Sequence, residues 1–123
     1  MKKTYAVKPK TEIQLQFEDG KNLNITFDAA AVYHLINDFE DGLNESLNTN
    51  YTELCARIIY AGSVEHEQEM SIEKARMIVS NLDIETLTDL INDFTDSLGK
   101  EKKAEIVEYQ KKSMTEFVNK KLL

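Results

Sequence analysis

The chain has 123 residues, 41% of them hydrophobic and 30% charged, enough for one modest core and too little chain for two. Its longest apolar runs, such as Ala29 to Tyr33, stop far short of the roughly 20 residues that cross a bilayer, so no membrane span is expected. The net charge of −7 is uneven: residues 11–99 carry 18 acidic against four basic side chains, a net of −14, so this acidic body should repel nucleic acid, while residues 1–10 carry +4 and residues 100–123 carry +3.

The first ten residues read as a basic arm, separated from the first strand by Pro9. An apolar stretch of the kind a signal peptide needs does not come after Met1 and its lysines, because Lys8 and Lys10 interrupt it. A cytoplasmic location is therefore expected. From Thr11 to Phe27 the pattern has period two, with Ile13, Leu15 and Phe17 and then Leu23, Ile25 and Phe27 alternating with polar residues. Asp19-Gly20 between the two runs is a hairpin turn signal, since glycine accepts positive φ without a steric penalty. A lone hairpin is marginal in water, so later segments must cover its apolar face.

Period 3.6 takes over at Asp28, a good N-cap, and predicts a helix over about 29–41 with Val32, Leu35, Ile36 and Phe39 on one face and Gly42 as its end. A second helix, about 51–61, starts behind Asn50, with Glu53 placed to reach back in a capping box, and buries Leu54, Cys55, Ile58 and Ile59 before Gly62 stops it. Ser71 caps a third helix over 72–81 that presents Ile72, Ala75, Ile78, Val79 and Leu82. Asp83 caps a fourth over 84–98, with Leu87, Leu90, Ile91, Phe94 and Leu98 in one stripe and Gly99 beyond it.

Residues 100–123 form a basic tail without proline or glycine, and Glu108 to Lys112 and Glu116 to Lys120 pair at i, i+4, so a helical tail is expected. Its apolar residues make an interrupted stripe. Val107, Met114, Phe117 and Val118 are the candidate partner-binding residues. The tail either docks on the core or serves as an arm that a partner orders, and the sequence leaves both open; the opposite charges of body and ends also allow head-to-tail contact between copies, a homo-oligomer. Residues 35–43 (LINDFEDGL) and 90–98 (LINDFTDSL) match at seven of nine positions. The segments upstream share little, which favours two similar helix endings over a duplication.

Candidate chemistry is sparse. His34 stands one position off the apolar stripe of the first helix, which suits a flank or surface role. His66, within Glu65-His66-Glu67-Gln68-Glu69, reads as part of a solvated acidic loop. The acidic run before Gly42 fails as a calcium loop, because Phe39 occupies the third ligand position and Asn48 the twelfth. The four glycines are isolated, so there is no phosphate-binding loop. Cys55 has no second cysteine to pair with and lies in an apolar helical run, where it is expected as a small buried hydrophobe. No cofactor, metal or catalytic residue is expected, and the chain is read as non-enzymatic.

The fold class is therefore α+β and predominantly helical: a hairpin at 11–27, four short helices within a single domain over 11–99, and a helical tail. In the order of these parts, and in the segments 25–35 (ITFDAAAVYHL), 54–62 (LCARIIYAG), 70–76 (MSIEKAR) and 83–91 (DIETLTDLI), the chain resembles the tail assembly chaperones of long-tailed phages and prophages of Gram-positive bacteria. The resemblance implies a non-catalytic protein of the host cytoplasm that binds the tape measure protein and assists assembly of the tail tube. The alternative is a small acidic regulatory or adaptor protein of a mobile element, which binds a host or phage protein.

Overall fold

A computed structural model describes residues 2–4, 11–40, 45, 46 and 49–98. Two strands, β1 (Thr11–Gln16) and β2 (Asn22–Phe27), pair antiparallel with Ile13 opposite Ile25 and Leu15 opposite Leu23. The alternating pattern puts these four apolar residues on one face. At the turn the Gly20 N–H donates to the Phe17 carbonyl and the Phe17 N–H to the Lys21 carbonyl, with Gly20 at φ 84°. This is the three-residue form of the hairpin, a tight turn followed by a left-handed glycine. Leu23, Ile25 and Phe27 are buried, whereas Ile13 and Leu15 are half-buried and Phe17 is exposed, so the helices cover β2 more fully than β1.

Four helices come next: α1 (Ala29–Asn37), α2 (Tyr51–Ser63), α3 (Ile72–Ser80) and α4 (Ile84–Asp96). Each starts on the cap that its sequence offers. The side chains of Asp28, Asn50, Ser71 and Asp83 accept hydrogen bonds from the backbone N–H groups of Ala31, Glu53, Lys74 and Thr86. Helix α2 is the hub, packing on β2, α1, α3 and α4. Its Leu54, Cys55, Ile58 and Ile59 are at most 1% exposed and meet Leu35 of α1, Ala75 and Val79 of α3 and the Leu87, Leu90, Ile91 and Phe94 stripe of α4 in one core. The Phe94 ring meets Phe27 of β2 edge to face, centroids 5.3 Å apart. No helix among the described residues is long and apolar enough to cross a membrane.

Three sequence expectations need correction. Helix α1 ends at Asn37, short of 41. Asp38 caps it through an N–H to the His34 carbonyl, the Asn37 side chain donates to the Tyr33 carbonyl, and Phe39 turns away to stack edge to face on Tyr60. Ile36 is consequently 47% exposed and leaves the stripe to Ala31 and Leu35. Gly62 does not stop α2, which continues to Ser63; the glycine instead lets the helix approach β2, where a Cβ at 62 would stand 2.5 Å from Ile25 Cγ2. Finally, the Glu53 carboxylate is engaged by Arg76 and Arg57, and α2 is held at its start by Asn50. Helices α3 and α4 match their expected spans to within two residues, α4 ending at the Ser97 cap.

The two LINDF segments behave differently in space. In α4 the segment stays helical and Phe94 is fully buried, while in α1 the chain leaves the helix at Asp38 and Phe39 is half-buried. Gly42, Gly99, the arm at 5–10 and the tail 100–123, with Val107, Met114, Phe117 and Val118, lie outside the described residues.

Candidate functional site

A cluster of four polar side chains sits where the end of α1 meets the end of α2. His34 and Asp38 are one helical turn apart, and His34 Nδ1 lies 2.7 Å from Asp38 Oδ2. Its other nitrogen, Nε2, lies 2.7 Å from Oε1 of Glu65, in the turn after α2. Tyr60, from the last turn of α2, donates its hydroxyl to the same Asp38 oxygen at 2.6 Å. The His34 side chain is 15% exposed, Asp38 28% and Glu65 59%, so the imidazole is the inner member of the group and Glu65 the outer.

The geometry fixes the charge state that suits it. Two ionised carboxylates offer acceptors only, and an imidazole can donate to both only as the doubly protonated cation. Partial burial lowers the His34 pKa, but the hydrogen bonds to Glu65 and Asp38, with the charges of both carboxylates, outweigh it and leave the pKa raised. Tyr60 is pushed up to about 12, first by burial and then by the Asp38 carboxylate, so it stays a donor across the ordinary pH range. With both ring nitrogens committed, His34 has no free nitrogen facing an open space. The cluster holds a charge and ties two helix ends together; a general base would need one nitrogen released.

Next to this cluster α1 shows an apolar outer face. The helix carries no Lys, Arg, Asp or Glu, and Tyr33 and Ile36, at i and i+3, are 59% and 47% exposed. Phe17, Met77 and Ile84 are the other large apolar residues left to solvent among the described residues. Towards the start of α2, Glu53 receives Arg76 of α3 at 2.8 and 3.0 Å and Arg57 at 3.4 Å, while Arg57 also donates to the buried Ser46 and lies over the Phe39 ring at 4.5 Å. Helix α4 has acidic residues at 85, 89, 93 and 96 and no basic residue. Burial and then the charges of Asp89 and Asp96 raise the Asp93 pKa.

The expected roles divide accordingly. His34 does lie on the flank of α1, but as the centre of a charged network. The contact between this histidine and Asp38 within α1 is visible in the sequence as an i, i+4 spacing; Tyr60 and Glu65 are brought in by tertiary packing and leave no local signal. His66 is exposed, as are Glu65, Gln68 and Glu69 around it, in keeping with a solvated loop, and in addition its Nε2 lies 2.8 Å from Oγ1 of the buried Thr26, a contact that pins the turn after α2 to β2. Cys55 is buried as expected, with its thiol pushed up to about 12 by burial. Among the described residues no group of three or more His, Cys, Asp or Glu side chains is arranged to hold a metal ion. The four candidate partner-binding residues of the tail lie outside the described residues. Comparison of the chain with protein-family models, curated proteins and solved structures finds no match in any of the three.

Proposed function

We propose that this chain is a non-catalytic protein-binding module that acts as a phage tail assembly chaperone: it holds an amphipathic segment of the tape measure protein in the bacterial cytoplasm and assists assembly of the tail tube. The observation that carries the reading is the outer face of α1, where Tyr33 and Ile36 are exposed side by side on a helix with no acidic or basic residue other than His34. An aromatic and a branched aliphatic residue one turn apart are the anchors that a helix-on-helix contact uses, and an uncharged face does not add the cost of desolvating ions. The order of hairpin and four helices agrees with the layout on which the resemblance rests.

The test is co-expression of the full chain with the tape measure protein of the same genome. The wild type keeps the client in the soluble fraction and co-purifies with it. The Tyr33→Ser/Ile36→Ser double variant, with unchanged circular dichroism, releases it. A client equally soluble without this protein removes the proposal.

A second reading, a small acidic regulatory or adaptor protein, is favoured by the carboxylate face of α4. It predicts a partner that leaves at about 0.5 M salt, where exposed charges are screened within a few ångströms, and that is lost in Asp89→Asn/Asp93→Asn. The chaperone reading predicts retention under both conditions.

A further inference from the structure

We propose that Glu65, His34 and Asp38 form a proton-held latch, in which the imidazolium of His34 ties the turn after α2 to the end of α1 and loss of its proton frees the turn. The inference rests on the two contacts of 2.7 Å, one to each ring nitrogen, from carboxylates on different elements. A neutral imidazole has one N–H and one lone pair, so one of the two carboxylates must then face a lone pair and is repelled. Glu65 is the one that leaves. It is 59% exposed, whereas Asp38 is 28% exposed and is also held by the Tyr60 hydroxyl.

The surroundings of the ring are consistent with a device centred on one proton. From α1 it meets Asp38 and the edge of the Tyr33 ring, from α2 Tyr60, and from the turn Glu65. Arg57, the cation of α2, is engaged with Phe39, Ser46 and Glu53. Within the same turn His66 reaches the other way, to the Thr26 hydroxyl. A hydroxyl both donates and accepts, so that contact does not depend on which His66 nitrogen carries the hydrogen. The direction of the His34 shift agrees with the geometry: the folded protein holds this proton to higher pH than an unfolded chain does.

Ring nitrogen NMR of the full chain, uniformly labelled with ¹⁵N and followed from pH 5 to 10, tests the proposal directly. Both His34 nitrogens should show the imidazolium signature at the acid end of the series and titrate at higher pH than in an unfolded control. Through that titration, amide exchange protection in residues 64–67, corrected for intrinsic rates, should fall about fivefold. Glu65→Ala, which removes the outer carboxylate, should bring the His34 titration down and give low protection at every pH. His34→Gln should match the high-pH wild type throughout. A His34 that titrates at or below the unfolded control, or protection that does not change as it titrates, overturns the latch; both measurements are made on the wild type, so they do not depend on a variant folding.

Discussion

Gly62 lies in the last turn of α2 against Ile25 of β2, so close that a Cβ on it would stand 2.5 Å from Ile25 Cγ2 and 3.2 Å from both the Phe27 ring and the Thr26 carbonyl oxygen. The helix and the strand are therefore in contact through backbone as well as side chains. Gly62→Ala gains about 1 kcal/mol of helix propensity but forces an overpacked contact that costs about 1–3 kcal/mol, and part of that contact is with a carbonyl that cannot rotate away. We expect a net loss of up to about 2 kcal/mol in urea unfolding. On an Ile25→Ala background the penalty should shrink, and a double-mutant cycle reads the difference. Additive losses would mean that the two residues do not meet.

Phe94 and Phe27 form the other tie between helix and strand. Phe94 is fully buried, its ring edge-on to Phe27. Phe94→Ala should cost about 3–5 kcal/mol, a large part of the stability of a domain this size, whereas Phe94→Leu keeps most of the volume and should cost about 1.5 kcal/mol or less. Phe39→Ala, at the equivalent place in the other LINDF segment, removes a half-buried ring and should cost less than Phe94→Ala under the same conditions.

Those two phenylalanines also mark how far local sequence reaches. Hairpin alternation, all four N-caps and the α4 stripe are set by neighbours within a few positions, and each is legible in the sequence. Where an element ends is less so, because that depends on what it meets. The same five residues stay helical where Phe94 fits against β2 and leave the helix where Phe39 finds Tyr60 and Arg57. Glycine carries two meanings, helix end and close approach, and only β2, far back in the chain, selects the second for Gly62. The His34 cluster is half legible: Asp38 is four residues away, Glu65 thirty-one.

Cys55 offers a chemical probe of the core. Its side chain is fully buried and burial pushes the thiol up to about 12, so at pH 8 the reactive thiolate is almost absent from the native state. Labelling with an aromatic disulfide reagent should be on the order of a thousandfold slower than in denaturant. Full labelling of the native protein within seconds would place the thiol outside the core.

Glu53 links α2 to α3 through Arg76, with Arg57 as the second cation, and its pKa is lowered chiefly by the Arg76 hydrogen bond. A carboxylate held below its unfolded value contributes stability above the ordinary glutamate pKa and loses it as pH falls through the folded one. Glu53→Gln should therefore cost about 0.5–1 kcal/mol at pH 7 and nothing at about pH 2, read from urea midpoints at each pH. A cost that stays constant with pH would assign the effect to packing.

Asp93 has the opposite sign. Burial raises its pKa first, and the carboxylates of Asp89 and Asp96, one turn to either side, raise it further. It also lies in the last turn of α4, where the helix dipole disfavours negative charge. A carboxyl held above its unfolded pKa carries a cost that is full above the folded value and gone below the unfolded one. Asp93→Asn should thus raise stability at neutral pH by ~0.5 kcal/mol at low salt, with the gain fading as salt or acid is added. Asp83, at the other end of the same helix, provides the control. Its carboxylate accepts the Thr86 N–H, and its pKa is lowered by hydrogen bonding to the Thr86 side chain first and to that N–H second, so the same loss of charge in Asp83→Asn should shift the urea midpoint down. Shifts in the same direction at both ends would show that the charges of α4 do not act through their place on the helix.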